Sequence, residues 1–463
     1  MKLKSVLPSL TFLLLAPAME LHAAPFASGN LVIHRVGSGS GSLLNTGNPV
    51  FLDEYNTTGT LVQSIALPTT VSGANKRLVS SGTATSEGLL TRSADGQFLV
   101  LAGYDATPPV TGLAGTTAAT VNRVIGRVNA AGTVDTSTAL TDYASANNPR
   151  SAVSSDGSKF WLSGGNGGVR IATLGATTST DVSTTVTNLR QLGIAGGQLY
   201  VTTSSGTAVR LGTVGTGLPE TTGQTITNLT GIPTTGSPYA FFFADLDAGV
   251  AGVDTVYIAD DTNTTGIGGV RKFSLVGGTW TANGIAGAFG DAYRGLTGSV
   301  NAGTVTLYAT RKGGSAAAGG GELVSLVDAT GYNATMTATP TLLATAAANT
   351  AFRGVALAPA EIPQLILTEI NSNGTGGDFW ELTNVGVTTQ NIGNWKWIDN
   401  AASGIADPAT VTIPAGTVIA PGESIIFSLA DDAAAFRSFW GALTGVQIIA
   451  TPTGPGLGQN DAV

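Results

Sequence analysis

The chain has 463 residues, a formal net charge of -8, 11% charged side chains, 64 glycines, two histidines and no cysteine. Those counts exclude thiol catalysis, disulfides, Cys-ligated metals and a multi-histidine zinc site. The acidic balance argues against general nucleic-acid binding, which depends on neutralising phosphates.

With 42% hydrophobic residues the chain can bury a core. Its Gly, Thr, Ser and Val content favours strands and tight turns over helices. The length suits two domains or one large closed β-architecture.

Residues 1–23 read as a signal peptide. Lys2 and Lys4 supply a positive start, "SVLPSLTFLLLAPAM" a short apolar run, and "LHA-APF" a small-residue cleavage site after Ala23. Its removal takes away two lysines and Glu20, leaving a charge of about -9 by the same count. No later segment is apolar for long enough to predict a transmembrane helix. The expected location is secreted, extracellular or at the cell surface.

Next come "NLVIHRVG", "VFLDEYNTTG" and "LVQSIALP", between Asn30 and Pro68. They read as second, third and fourth strands of a repeat that lacks its first. "GSGSGS" at Gly37–Ser42 reads as a flexible loop, because the lysine and spacing of a phosphate-binding loop are absent.

The repeat then becomes regular. "GLLTRSADGQFLVLAGYD" (Gly88–Asp105), "RSAVSSDGSKFWLSGGNG" (Arg150–Gly167), "RQLGIAGGQLYVTTSSG" (Arg190–Gly206) and "RGLTGSVNAGTVTLYATRKG" (Arg294–Gly313) share one plan. Each is a short strand, a glycine turn and a second strand. Asp95-Gly96, Asp156-Gly157 and Gly196-Gly197 are hairpin signals. A further unit starts at "YAFFFADLDAG".

Third and fourth strands complete units near 85–142, 147–186, 188–228, 236–285 and 291–347. "FRGVALAP" (Phe352–Pro359) supplies the first strand missing from the N-terminal piece. The reading is all-β: a six-bladed β-propeller over 26–359 closed by strands from both its ends. Seven blades is the competing count, and a β-helix or stacked sandwich the competing architecture.

Arg150, Arg190, Arg294 and Arg353 stand at the starts of first strands, with Glu87 in the same slot. First strands line a propeller's channel, so these five would ring one mouth. Arginine forks there suit an anionic or sugar ligand. The competing reading is that they cap blade tops and bond neighbouring carbonyls.

"DLDAGVAGVD" places Asp245, Asp247 and Asp254 around glycines, with Asp260 and Asp261 beyond. Alternating carboxylates make this the candidate Ca2+ loop, though no bidentate glutamate closes it. A solvated insertion is the alternative. After signal removal His34 is the sole possible triad base; it lies in an alternating strand, and no G-x-S-x-G elbow exists.

Past "APAEIPQ" the pattern changes. "ILTEI" (Ile366–Ile370), "DFWELTNVG" (Asp378–Gly386), "NIGNWKWID" (Asn391–Asp399) and "IPAGTVIAPGESIIF" (Ile413–Phe427) run in order through the last hundred or so residues. In that order they resemble the lamin tail domain, an Ig-like β-sandwich found in many bacterial secreted proteins. The resemblance implies a lamin tail domain over 363–463. The family continues past a "DAV" like that at Asp461–Val463, so an incomplete domain on a fragment of a longer product is expected.

Trp380 and Trp395 are expected in the sandwich core, with Trp395 and Trp397 on one strand face and Lys396 on the other. Glu369 and Glu381 are the candidate acid pair for glycoside hydrolysis, weighed against a structural role in turn hydrogen bonds.

The expected function is a secreted, non-catalytic binding or scaffold protein. Its propeller would meet an extracellular polysaccharide or protein, and its tail would serve adhesion or docking. Lamin tail domains also accompany nuclease and phosphoesterase domains, which makes an accessory region of a larger secreted enzyme the alternative. A third reading is a hydrolase or lyase acting at the Glu87–arginine ring.

Overall fold

Glycine turns set the strand pattern. Gly96 and Gly157 both have φ +79°, a backbone state that side-chain-bearing residues rarely adopt, and each closes a hairpin between neighbouring strands. A computed structural model describes residues 24–313, 321–360, 364–372, 377–386, 389–398, 410–429, 432–441 and 445–451. The expected signal peptide at 1–23 and the "DAV" end lie outside the described residues. The chain divides into two units, Met1–Ala360 and Glu361–Val463.

The first unit is built from antiparallel sheets. In chain order, β1 (Leu31–Val36), β2 (Gly47–Tyr55) and β3 (Leu61–Ala66) pair in sequence, and β4 (Val79–Ser81) follows. Then come β5 (Thr91–Arg92), β6 (Phe98–Tyr104), β7 (Arg123–Asn129) and β8 (Val134–Leu140), again paired in order.

Four further four-stranded sheets follow. They are β9 (Pro149–Val153) to β12 (Thr180–Ser183), β13 (Leu192–Ala195) to β16 (Ile226–Asn228), β17 (Pro238–Ala244) to β20 (Thr279–Ala286), and β21 (Gly295–Asn301) to β24 (Thr341–Thr345). Finally β25 (Ala351–Leu357) pairs with β1, joining both ends of the region in one sheet, β25–β1–β2–β3.

The first strands β5, β9, β13, β17, β21 and β25 neighbour one another in succession, and β25 returns to β5. All six line one central cavity. The fold of this unit is propeller-like.

One element differs from the sequence reading. β4 pairs with both β2 and β6, tying the sheet that holds both ends to the next one. A three-residue strand carries too little periodicity to be seen in sequence.

Packing between sheets is apolar. Leu78, Leu99, Leu101 and Val124 meet Val50 and Leu52 in one cluster, and Tyr257, Leu296, Leu307 and Val324 meet in another. A hydroxyl device recurs at the inner ends. The Ser163, Thr202 and Thr310 hydroxyls donate to the backbone carbonyls of Arg190, Tyr239 and Arg353, each on the next first strand or immediately before it. Such bonds fix the height of one sheet against the next.

In the second unit β26 (Leu365–Asn371), β27 (Phe379–Asn384), β32 (Ser424–Ser428) and β33 (Gln447–Ala450) form one sheet. Two short ladders accompany it: β28 (Gln390–Asn391) with β31 (Val418–Ile419), and β29 (Lys396–Trp397) with β30 (Val411–Thr412). Trp380, Ile425 and Phe427 of the sheet pack with Ile392, Trp397, Ile413 and Ile419.

Two features here were not read from the sequence. β32 and β33 run parallel, and α1 (Ala433–Trp440) forms the crossover between them. Parallel neighbours require such a connection. Asp432 caps α1, accepting from the Ala435 N–H at 2.7 Å.

Trp395 departs from its expected place in the core. It is 52% exposed, whereas Trp397 and Trp380 are buried. Asn394 has φ +67° and the Trp395 N–H closes a turn onto Ile392. The strand begins only at Lys396, so two-residue alternation does not reach back to Trp395.

Candidate anion-binding mouth

The six first strands enter the ring through matching tripeptides: Glu87-Gly-Leu, Arg150-Ser-Ala, Arg190-Gln-Leu, Tyr239-Ala-Phe, Arg294-Gly-Leu and Arg353-Gly-Val. The small or polar middle residue and the apolar third one pack within the ring. The leading side chains converge at one end of it.

The five residues singled out from the sequence are brought together there. Glu87 is buried and accepts from Tyr104 Oη at 2.5 Å, Asn148 Nδ2 at 2.6 Å and the Ser81 N–H at 2.8 Å. Burial pushes its carboxyl pKa up, and those three donors together with the Arg353 charge pull it back. Arg353 is also buried and donates to the Gly82 carbonyl. Burial brings its guanidinium down to about 10, with the Glu87 charge opposing and the Arg294 charge adding.

Arg150 and Arg190 each reach to the following sheet. Arg150 donates to Asn188 Oδ1 at 2.6 Å and the Leu189 carbonyl at 2.9 Å. Arg190 donates to Ser237 Oγ at 2.7 Å and to the Ser237 and Pro238 carbonyls. Carbonyl capping, the competing sequence reading, is therefore part of what these side chains do.

It does not exhaust their donors. The Nε atoms of Arg150 and Arg190 are buried and have no hydrogen-bond partner. Burial, and then the nearby Arg190 charge, lower the Arg150 pKa. Like-charged neighbours are costly unless carboxylates join them; Arg190 has Asp261 at 3.7 Å, whereas Arg150 pairs with no carboxylate among the described residues.

Sequence reasoning missed two members of the site. Tyr239 takes the leading position of β17's tripeptide, and the Arg190 guanidinium lies 3.8 Å from its ring centroid. Arg294 stands 5.5 Å from the same ring. Asp261 binds Arg294 at 3.1 Å and lies 3.7 Å from Arg190. Aligning the six tripeptides would have found Tyr239. Asp261 has no such signal, since it stands at the far end of β18 (Thr255–Asp260) from its own turn.

The candidate calcium loop is arranged otherwise. Asp254 is buried, and its carboxylate accepts from the Leu246 and Asp247 N–H groups and the Thr255 hydroxyl. Asp247 caps the Gly249 N–H, and Asp245 is exposed. Among the described residues, no three acidic or imidazole groups are gathered to hold a metal. Asp254 fastens its own loop, a use of carboxylate that sequence spacing does not distinguish from ligation.

The acid pair of the tail faces across a ladder. Glu369 and Glu381 are direct partners between β26 and β27, and Glu381 accepts from the Thr368 hydroxyl at 2.6 Å. The turn amides expected as its partners are not the groups it holds here. His34 is fully buried in β1, with Nε2 3.3 Å from Ser80 Oγ. Burial, reinforced by the Arg353 charge, lowers its pKa to about 3.

No family model and no curated protein matches the chain. It is similar in fold to solved structures at low identity. One is the GH74 enzyme of Niastella koreensis, with 15% identity and TM-score 0.42 over 78% of this chain and 59% of that one. Another is a protein from Lactobacillus plantarum, with 11% identity and TM-score 0.39 over 86% and 98%. A third is the WD40 domain of coronin from Toxoplasma gondii, with 10% identity and TM-score 0.34 over 87% and 77%. Likeness at this level carries no argument for fold or for activity.

Proposed function

We propose that the chain is a secreted, non-catalytic binding protein. Its N-terminal unit is a six-bladed β-propeller whose mouth takes an anionic extracellular polymer, a uronate-bearing polysaccharide being the class that fits. Its C-terminal unit is an Ig-like lamin tail sandwich serving adhesion or docking.

The reading rests on one observation: Arg150 and Arg190 stand close enough to repel, each with a buried Nε that has no partner. A carboxylate offers two acceptor oxygens to such donors. The buried Tyr239 ring beside them is covered by the Arg190 guanidinium at 3.8 Å, which holds that fork in a fixed orientation. Six neighbouring first strands and the β25–β1 closure support the blade count.

Calorimetric titration of the full chain with oligogalacturonate, against a neutral glucose oligomer, tests the proposal. Binding of the uronate alone is expected, weakening as salt is raised, and at least tenfold weaker in the Arg150→Gln, Arg190→Gln double variant. Equal binding of both sugars, no binding, or indifference to the double variant would overturn it.

A further inference from the structure

Beneath the mouth, the six first strands border an open cavity of about 140 Å3. Phe241, Phe242, Ile194 and Leu296 supply apolar wall. Four polar side chains stand among them, Thr91, Thr297, Arg92 and Gln191, the last two being the longest. Gln191 is 6% exposed, and its side-chain amide makes no hydrogen bond among the described residues. Arg92, half-buried at the end of β5, makes no hydrogen bond or ion pair there either.

Asp95 is the acid nearest to Arg92 in charge, yet its oxygens are taken by Ser93 and by the N–H and side-chain amide of Gln97. Desolvation lowers the Arg92 pKa, and the Asp95 charge offsets this only in part. A chain that pairs Arg35, Arg77, Arg127, Arg170 and Arg311 with carboxylates leaves this guanidinium without one, lying over Gly96 in the lining of the cavity.

We propose that this cavity is a second binding site, distinct from the mouth, for a small amphipathic carboxylate held by the Arg92 guanidinium and the Gln191 amide with its apolar body against Phe241 and Phe242. One cation and one neutral amide match a monoanion. The planar guanidinium can meet both carboxylate oxygens, and the amide can add a donor. A phosphate dianion would bring more charge than Arg92 balances and would lose more hydration beside Phe241 and Phe242.

Benzoate is the probe, titrated calorimetrically into the full chain, with benzamide as its uncharged counterpart and inorganic phosphate as the anion without an apolar body. Benzoate alone is expected to bind, at one site. Arg92→Gln should weaken it at least tenfold and Gln191→Leu several-fold, while Lys159→Gln, a charge lost from the outer surface, leaves it unchanged. Circular dichroism of both cavity variants confirms that they are folded. Uronate binding at the mouth should survive Arg92→Gln, which separates this proposal from the one above. Absence of benzoate binding, equal binding of benzamide or phosphate, or full binding by folded Arg92→Gln would overturn it.

Discussion

The Arg190 guanidinium lies 3.8 Å above the Tyr239 ring while donating to Ser237 and Pro238 of the same neighbouring segment. One side chain thus joins two first strands through stacking and through charged hydrogen bonds. Lysine cannot reproduce the planar fork or the stack. Arg190→Lys is expected to lower the stability of the first unit by about 1–2 kcal/mol. Urea unfolding checks this, and an unchanged midpoint would show that the stack is incidental.

His34 predicts acid lability. Its pKa is about 3 in the folded chain against 6.5 as the ordinary value, so the unfolded chain takes up the proton first. Stability is therefore fully present above about pH 6.5 and is lost as pH falls toward 3. At pH 4 the loss from this residue is on the order of 3 kcal/mol. Unfolding of the wild type and of His34→Gln, compared at pH 7 and pH 4, should show a smaller acid loss in the variant.

Gly354 marks the seam where the ring closes. Its N–H donates to the Gly88 carbonyl at 2.8 Å, and a Cβ built on it would sit 2.1 Å from the Leu90 nitrogen. Backbone, not a flexible side chain, fills that space. Gly354→Ala must push β25 away from the segment leading into β5, and a loss of roughly 2–4 kcal/mol is expected. Thermal unfolding would detect it; a neutral result would mean that the seam can open without cost.

The tail tryptophans should separate sharply. Trp380 stacks on Phe427 at 4.1 Å and meets the Trp397 ring edge-on at 5.4 Å. Trp397→Ala should therefore cost about 3–5 kcal/mol, and Trp395→Ala within about 0.5 kcal/mol of nothing. Denaturant unfolding followed by tryptophan fluorescence distinguishes them. Similar costs for the two would contradict the turn at Asn394.

Strand, turn and repeat were legible in the chain because they are local. Asp95-Gly96 and Asp156-Gly157 carry their turn chemistry in two residues, and the alternating apolar runs beside them have nowhere to go but into sheets. Four of the five regular units, from 147 to 347, each correspond to one four-stranded sheet; the first, near 85–142, supplies β5 to β8 to the nine-stranded sheet in which "FRGVALAP" joins "NLVIHRVG" as β25 on β1. Leading arginines could be aligned because a repeat places equivalent residues at equal depth.

Other features depend on long-range placement. Tyr239 enters the mouth only as a surface for Arg190, and Asp261 only because β18 ends beside Arg294. Whether Asp254 ligates an ion or fastens its loop is decided by which N–H groups face it, and here Leu246 and Asp247 do. Trp395 leaves the core because one positive φ at Asn394 delays the strand. α1 is required by the parallel pairing of β32 and β33, which no window of sequence announces. Composition and periodicity determine which segments are strands and where they turn. Partners, charge balance and burial are set by groups distant in sequence, and only the folded chain decides them.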